Sequence, residues 1–222
     1  MARATRAGTV ALVGPEGNSI VAWLLARVVD EGLASCALVD GAANRITQAS
    51  GRPDASLVYA LRVDGANLDA SVDRIKRLAL LMDAPLYESG PVGRAGAETA
   101  GAETAGAETA GAETADAAEA FMVDGALTAE SAARLPKEAR AVVVEDFTKV
   151  FLDYRALVAF GRERGLFVRR KPAFAGFSVV TRGVGDDTVR ARLEGVRLFG
   201  NDIEMYLGFN PYGVGADGRV GP

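Results

Sequence analysis

Short, continuously apolar runs alternate with helix-like patterns along most of this 222-residue chain. Runs such as TVALVG, CALVDG, SLVYALR and RAVVVED have the length of strands. Strands of this kind are typical of sheets that are buried on both faces, and their alternation with helices implies right-handed crossovers onto a parallel sheet. The sequence therefore predicts an α/β fold, with a doubly wound, mostly parallel, Rossmann-like sheet and helices on both of its faces.

The predicted helices have apolar residues at spacings of three and four. The clearest is NLDASVDRIKRLALLMD, in which Leu68, Val72, Ile75, Leu78 and Leu81 share one side. Further helices are predicted for NSIVAWLLARVVDEG, which ends at a glycine, for TAESAARL and for YRALVAFGRERG. The remaining predicted strands are FMVDG, LFVRR, FSVVTR and EMYLGF.

A fourfold GAETA repeat interrupts this pattern between residues 96 and 115. Its period of five fits neither a helix nor a strand, and residues 95–120 contain no large apolar side chain that could offset the entropy of ordering. We therefore predict a first α/β half at residues 1–89, a disordered linker at 90–119, and a second half at 120–222 that packs with the first. The linker carries a net charge of −5, so the rest of the chain sums to +1.

The composition excludes several kinds of chemistry. Histidine is absent, which removes Ser–His and Cys–His nucleophile pairs and His-ligated zinc. The single cysteine, Cys36, excludes an intramolecular disulfide and a cysteine-cluster metal site. No apolar run approaches the length of a membrane span, and the N-terminal residues do not form a signal peptide. The sequence predicts a cytoplasmic protein with no membrane partner and no cofactor of its own.

The GPEGNS turn of the first strand–helix unit resembles a phosphate-binding loop only in outline. A Walker loop needs a lysine and open backbone amides, but Pro15 removes one donor, Glu16 repels an anion and no lysine precedes Lys76. The dinucleotide fingerprint also fails, because residues 16 and 19 are not glycine. We therefore interpret the segment as a structural turn in which Asn18 or Ser19 caps the following helix; a weak anion site is the alternative.

Charged and polar residues, together with two glycines, gather where the predicted strands end, the edge at which open parallel sheets bind ligands. They are Gly14, Asp40, Gly41, Asn44, Arg45, Arg62, Asp124, Glu145 and Asp146. These carboxylates could hold magnesium or pair with the arginines. The alternative is turn and cap chemistry, since Asp-Gly is a turn dipeptide and Asp146 occupies the position of a helix N-cap.

Residues 154–197 contain ten basic and four acidic residues. These basic residues are scattered over several elements and match no nucleic-acid motif, so no nucleic-acid partner is predicted. A solvated surface or a docking surface for an acidic protein fits this distribution better.

Four segments together resemble a known family. LVDGAANRITQAS with the following DASLVYAL, then DRIKRLALLMDAPLY, VVVEDFTKVFLD and GFNPYG occur in this order. In this order they resemble segments of the reactivase subunit of adenosylcobalamin-dependent lysine and ornithine aminomutases. The resemblance covers most of the chain outside the repeat. It implies that VALVGP corresponds to a strand after the family's P-loop ATPase region, which lies outside this chain.

The resemblance implies a non-catalytic chaperone-like or regulatory subunit in lysine degradation. Such a subunit would help a cobalamin enzyme to exchange a damaged cofactor, with an aminomutase and a separate ATPase subunit as its partners. ALRVDG replaces the family's small-residue ending after the third strand, so no catalytic residue carries over. The positions that match the family's motifs, and that we take as candidate ligand-binding residues, are Asp40, Gly41, Asn44, Arg45, Asp146, Lys149, Asn210 and Pro211.

Two other functions remain open from the residues alone. The first is a small-molecule or nucleotide-binding α/β enzyme that uses the strand-end carboxylates and arginines. The second is a domain that serves only in the assembly of an oligomer.

Overall fold

The structure is a computed structural model, and it describes residues 18–35, 37, 39, 56–88, 92–95 and 120–210. The chain divides into two units, Met1–Gln48 and Ala49–Pro222. The helices are α1 (Asn18–Asp30), α2 (Leu68–Asp83), α3 (Ala129–Ala133), α4 (Tyr154–Glu163) and α5 (Asp186–Leu193). The strands are β1 (Ser56–Asp64), β2 (Val92–Ala95), β3 (Ala120–Val123), β4 (Ala141–Val144), β5 (Gly165–Val168), β6 (Ala173–Arg182), β7 (Arg197–Leu198), β8 (Asn201–Asp202) and β9 (Leu207–Phe209).

The second unit contains two parallel sheets. A three-stranded sheet has the order β1-β6-β9, and a four-stranded sheet has the order β2-β3-β4-β5. Only β7 and β8 pair in the antiparallel sense among the described strands. The predicted α/β class, with a mostly parallel, Rossmann-like arrangement flanked by helices, is confirmed, and its parallel strands divide between two sheets.

In the first unit, α1 ends as its sequence predicts. Gly32 has a left-handed φ of 61°. Its N–H donates to the carbonyl of Val29, and the N–H of Leu33 donates to the carbonyl of Val28. This pair of bonds is a Schellman motif, which satisfies carbonyls at the end of the helix and requires a residue that tolerates positive φ.

Helix α2 packs against β1 of the three-stranded sheet and also contacts α4 and α5. Its buried face contains Val72, Ile75, Leu78 and Leu81, as the spacing predicts, and adds Ser71, Ala79 and Met82. The helix begins after a turn in which the side chain of Asn67 accepts from the N–H of Asp64. It ends at Asp83 because Ala84 precedes Pro85 and therefore adopts an extended ψ of 128°.

The four-stranded sheet is built from strand–helix–strand crossovers. Thr128 and Ser131 form a capping box at the start of α3, which connects β3 to β4. Asp153 caps α4, which connects β4 to β5, by accepting from the N–H of Ala156 at 2.8 Å. Strand β4 lies between β3 and β5 and is almost entirely buried, as expected for a continuously apolar strand.

Strand β1 of the three-stranded sheet alternates between buried and exposed residues. Leu61 and Val63 are buried, whereas Val58, Ala60 and Arg62 are exposed. Burial on both faces is therefore found for β4, but among the described residues β1 is buried on one face only. We refer to the other face of this sheet as the open face.

The structure departs from some of the sequence predictions and does not describe the segments of others. Residues 92–95, within the predicted disordered linker, form β2, and the GAETA repeat lies outside the described residues, as do TVALVG and most of CALVDG. The prediction of a strand over EMYLGF is wrong in its first half. Residues Ile203–Tyr206 form a 3₁₀ helix because the Asp202 side chain accepts from the N–H of Glu204, and only Leu207–Phe209 form a strand.

Candidate functional site

Asp146 follows β4 and is the most buried of the predicted site residues that the structure describes, with 5% of its surface exposed. Its Oδ1 accepts from the N–H of Thr148 at 2.8 Å and from the Thr148 hydroxyl. These bonds cap the 3₁₀ helix Phe147–Lys149. The carboxylate therefore has the cap role that we gave as the alternative to ligand binding.

Glu145 precedes Asp146 and pairs with an arginine. Its Oε1 lies 2.8 Å from Nη2 of Arg170, which follows β5. The backbone N–H of Arg170 also donates to the carbonyl of Glu145 at 3.0 Å, so the β4–β5 ladder continues past the strand ends. In the part of the chain that the structure describes, no three acidic or thiol side chains are grouped so that they could hold a metal ion.

Lys149 is exposed and stands at the end of the same 3₁₀ helix. Its carbonyl accepts from the N–H of Leu127 at 2.7 Å, and the N–H of Phe151 donates to the carbonyl of Leu127 at 2.8 Å. These bonds hold the loop after β3 against the loop after β4. Lys149 therefore contributes to this loop through its backbone and leaves its ammonium group in solvent.

Arg77 of α2 fixes the segment that follows Lys149. Its Nε donates to the carbonyl of Leu152 at 2.6 Å, and its Nη2 donates to the carbonyl of Val150. Burial lowers the pKa of the Arg77 guanidinium from its usual value, and the nearby Tyr59 and Asp153 oppose that shift. Arg77 thus links α2, which follows β1 of the three-stranded sheet, to the loop after β4 of the four-stranded sheet.

At the end of β1, Arg62 and Asp64 form an ion pair at 3.2 Å. The Oδ1 atom of Asp64 also accepts from the N–H groups of Ala66 and Asn67, which makes a turn before α2. The predicted strand-end residue Arg62, and Asp64 beside it, therefore take part in local structure.

Asn210 directly follows β9, and its N–H donates to the carbonyl of Val179 at 2.9 Å. It belongs to the three-stranded sheet, whereas Asp146 and Lys149 belong to a single turn after the four-stranded sheet. The other predicted residues, Asp40, Gly41, Asn44, Arg45 and Pro211, lie outside the described residues, as does most of the GPEGNS turn.

A cleft of about 550 Å³ lies over β6 and β9, and Asn210 is among the residues that line it. Its lining also includes Val58, Ser178, Met205 and Gly208. Val58 is 54% exposed and Met205 is 75% exposed, so this part of the open face presents apolar side chains to solvent. We call it the β6–β9 cleft.

A close backbone approach shapes the wall of the β6–β9 cleft. Gly176 has a φ of 141°, and a Cβ at this position would stand 2.7 Å from the carbonyl oxygen of Tyr206. Only glycine therefore allows the segment that carries Met205 to lie so close to β6. Beyond this wall, the Tyr206 ring packs edge-on against Phe199, with 5.8 Å between ring centroids.

Charged groups stand beside the same cleft. The Arg190 guanidinium lies 4.4 Å from the centroid of the Phe209 ring, and it also pairs with Glu204. Glu204 is the immediate neighbour of Met205 in sequence. The cleft therefore combines exposed apolar side chains with polar lining groups, and charged side chains stand beside it.

The sequence patterns do not predict this cleft. The run EMYLGF predicts a strand, in which an apolar side chain such as Met205 next to Tyr206 and Leu207 is expected to be buried. The available signal was the pair Asn201 and Asp202 after Gly200, which indicates a turn and cap in place of a strand start.

Comparisons with protein-family models, curated proteins and solved structures find no match for this chain. None of the helices in the described ranges is both long and apolar enough to cross a lipid bilayer.

Proposed function

We propose that this chain is a non-catalytic, chaperone-like or regulatory subunit that binds an adenosylcobalamin-dependent aminomutase and works with a separate ATPase subunit. The proposal begins from the resemblance of four sequence segments to the aminomutase reactivase subunit. The observation that carries it is the β6–β9 cleft, which exposes the apolar side chains of Val58 and Met205 and whose lining includes Gly208, Phe209 and Asn210 of the GFNPYG segment.

The exposure of Met205 and Val58 supports a protein partner. Contiguous apolar surface on a water-soluble fold often marks a site of protein interaction, and methionine adapts its shape to a partner at low cost. The Arg190 and Glu204 side chains beside the cleft would supply the polar rim of such an interface.

The roles of the strand-end carboxylates support a non-catalytic subunit. Asp146 caps a helix, Glu145 pairs with Arg170, and Asp64 forms a turn. Carboxylates that stabilise local structure in this way are poorly placed to transfer protons or to hold a substrate.

A binding assay with a purified lysine or ornithine aminomutase tests the proposal. We expect the full chain to form a complex and Met205→Glu to weaken it at least about tenfold, because a carboxylate would be buried at the centre of the interface. Leu80→Glu is the matched control, since Leu80 is an exposed apolar residue of α2 that does not line the cleft. A wild-type chain that binds neither enzyme, or equal weakening by both variants, would contradict the proposal.

A small-molecule or nucleotide-binding enzyme is the second candidate. It is favoured by Asp124, Glu145 and Arg170, which follow the neighbouring strands β3, β4 and β5. Thermal unfolding in the presence of ATP, NAD(P) and magnesium tests it, because a ligand that binds only the folded chain raises the melting temperature. Unchanged melting with every nucleotide would exclude this candidate.

A further inference from the structure

The β7–β8 hairpin turns at a residue type that seldom occupies such a position. Leu198 pairs with Asn201, so Phe199 and Gly200 form a two-residue loop, and their φ angles are 51° and 77°. Positive φ at both loop residues is characteristic of the type I′ turn, in which Asn-Gly is strongly preferred. Among the described residues, Phe199 is the one non-glycine residue with a left-handed φ, and its Cβ makes that conformation costly. The hairpin therefore holds an aromatic ring where a smaller residue would be relaxed.

Contacts from the end of α2 and from the β5–β6 connection hold Phe199 in this conformation. Its N–H donates at 3.1 Å to Oδ1 of Asp83, the last residue of α2. The Nζ atom of Lys171 lies 5.3 Å from the centroid of the Phe199 ring, and it also donates to the carbonyl of Ala84. The tip of the hairpin is therefore anchored at the C-terminal end of α2.

Phe199 also contacts the segment that carries Met205. The rings of Phe199 and Tyr206 pack edge to face, with 5.8 Å between their centroids. Asn201 connects the same two residues, because its Nδ2 donates to the Phe199 carbonyl at 3.2 Å and to the Tyr206 hydroxyl at 3.3 Å. The Tyr206 carbonyl is the group that approaches Gly176 in the wall of the β6–β9 cleft. A continuous set of contacts therefore runs from α2 through Phe199 to that wall.

We propose that Phe199 is a positioning residue, whose ring holds Tyr206 in place and thereby sets the position of Met205 at the β6–β9 cleft. The consequence for partner binding rests on the proposed function, whereas the positioning role concerns this chain alone. Phe199→Asn suits the turn better than the native residue but removes the ring that contacts Tyr206 and Lys171. This one substitution therefore separates the conformation of the turn from the order of the cleft wall.

Amide hydrogen exchange of the full chain, without any partner, tests the positioning role. The Leu207 amide donates to the carbonyl of Glu204, and we expect its exchange to become at least about tenfold faster in Phe199→Asn. Exchange of the Arg164 amide, at the end of α4, should be unchanged, which distinguishes local loosening from a loss of global stability. Unchanged exchange of Leu207 in Phe199→Asn would overturn the proposal.

Two control variants separate the ring from the substitution itself. Phe199→Tyr keeps the ring and should give wild-type exchange at Leu207. Phe151→Asn makes the same replacement at an aromatic residue that is 65% exposed in the loop after β4, and it should also leave exchange of Leu207 unchanged. Faster exchange of Leu207 in either control would contradict a specific role of the Phe199 ring.

The effect on binding is measured separately, with a purified lysine or ornithine aminomutase. We expect Phe199→Asn to weaken the complex at least about threefold, because the loosened Met205 segment must be ordered when the enzyme binds. A weaker complex together with unchanged exchange of Leu207 would mean that the ring itself contacts the enzyme, which contradicts the positioning role. A wild-type chain that binds neither enzyme would contradict the proposed function, and the exchange of Leu207 would still decide the role of Phe199.

Discussion

The two parallel sheets of the second unit bury their strands to different extents. In the four-stranded sheet, Val142, Val143 and Val144 of β4 are completely buried. In the three-stranded sheet, α2 covers one face of β1, and the open face presents Val58 and the β6–β9 cleft. The first arrangement places strands where they stabilise the fold, and the second leaves a surface on which another molecule can bind.

The largest expected difference is between aspartate substitutions in the two sheets, measured as the loss in the free energy of unfolding. Val143→Asp places a carboxylate in a fully buried position, so we expect the free energy of unfolding to fall by about 4 kcal/mol or more. Val58→Asp leaves its carboxylate in solvent and should cost less than about 1 kcal/mol. Urea denaturation followed by circular dichroism measures both values. Equal losses of unfolding free energy in the two variants would contradict the difference in burial between the two sheets.

Removal of Arg77 tests the connection between the two sheets. Arg77→Ala loses the hydrogen bonds to the carbonyls of Val150 and Leu152, and we expect a loss of about 3 kcal/mol in the free energy of unfolding. Arg74→Ala, an exposed position on the same helix, should change it by less than about 0.5 kcal/mol. If urea denaturation gives similar values for the two variants, the tie between the sheets does not contribute to stability.

Substitution of Asp146 separates its cap role from a role that needs its charge. Asp146→Ala removes the acceptor for Thr148 and should lower the free energy of unfolding by about 1 kcal/mol. Asp146→Asn keeps an acceptor oxygen and should lower the free energy of unfolding by only about a few tenths of a kcal/mol. Thermal denaturation of the three proteins compares them. A loss in Asp146→Asn as large as in Asp146→Ala would show that the charge matters.

The smallest expected effect is a pH dependence of the free energy of unfolding that arises from Lys171. This residue lies in the segment that connects β5 of one sheet to β6 of the other. Its Nζ donates to the carbonyl of Ala84 at 2.9 Å. Burial nevertheless lowers the pKa of Lys171 from 10.5, with Asp83 opposing the shift. Between the lowered pKa and 10.5, the unfolded chain binds more protons than the folded chain, so rising pH stabilises the fold.

Lys171→Met removes this titration. Urea denaturation between about pH 8 and 10 should therefore show the wild type gaining stability relative to Lys171→Met as the pH rises. The expected difference is a fraction of a kcal/mol. Parallel pH profiles of the two proteins, or a relative loss by the wild type, would contradict this assignment.

The sequence predicts the local elements well because their signals are local. Helix α2 and its buried face follow from apolar spacing, and Asp146 stands at a cap, the structural alternative considered for it. The pairing of strands is different, because β1 pairs with β6, which is more than a hundred residues away. No pattern in either segment specifies that partner, so the division into two sheets could not be predicted.

The β6–β9 cleft depends on the same kind of distant contact. The continuously apolar run SLVYALR predicts a strand that is buried on both faces, and this prediction is wrong for β1, because Val58 and Ala60 are exposed. The β6–β9 cleft, however, forms only when the segment around Met205 approaches Gly176.

Hydrogen exchange of the full chain with and without a lysine or ornithine aminomutase tests most directly whether the open face is the binding surface. We predict slower amide exchange in residues 56–60 and 203–210 on addition of the enzyme, and unchanged exchange in β4. A complex that protects other segments and leaves the β6–β9 cleft unchanged would contradict this account.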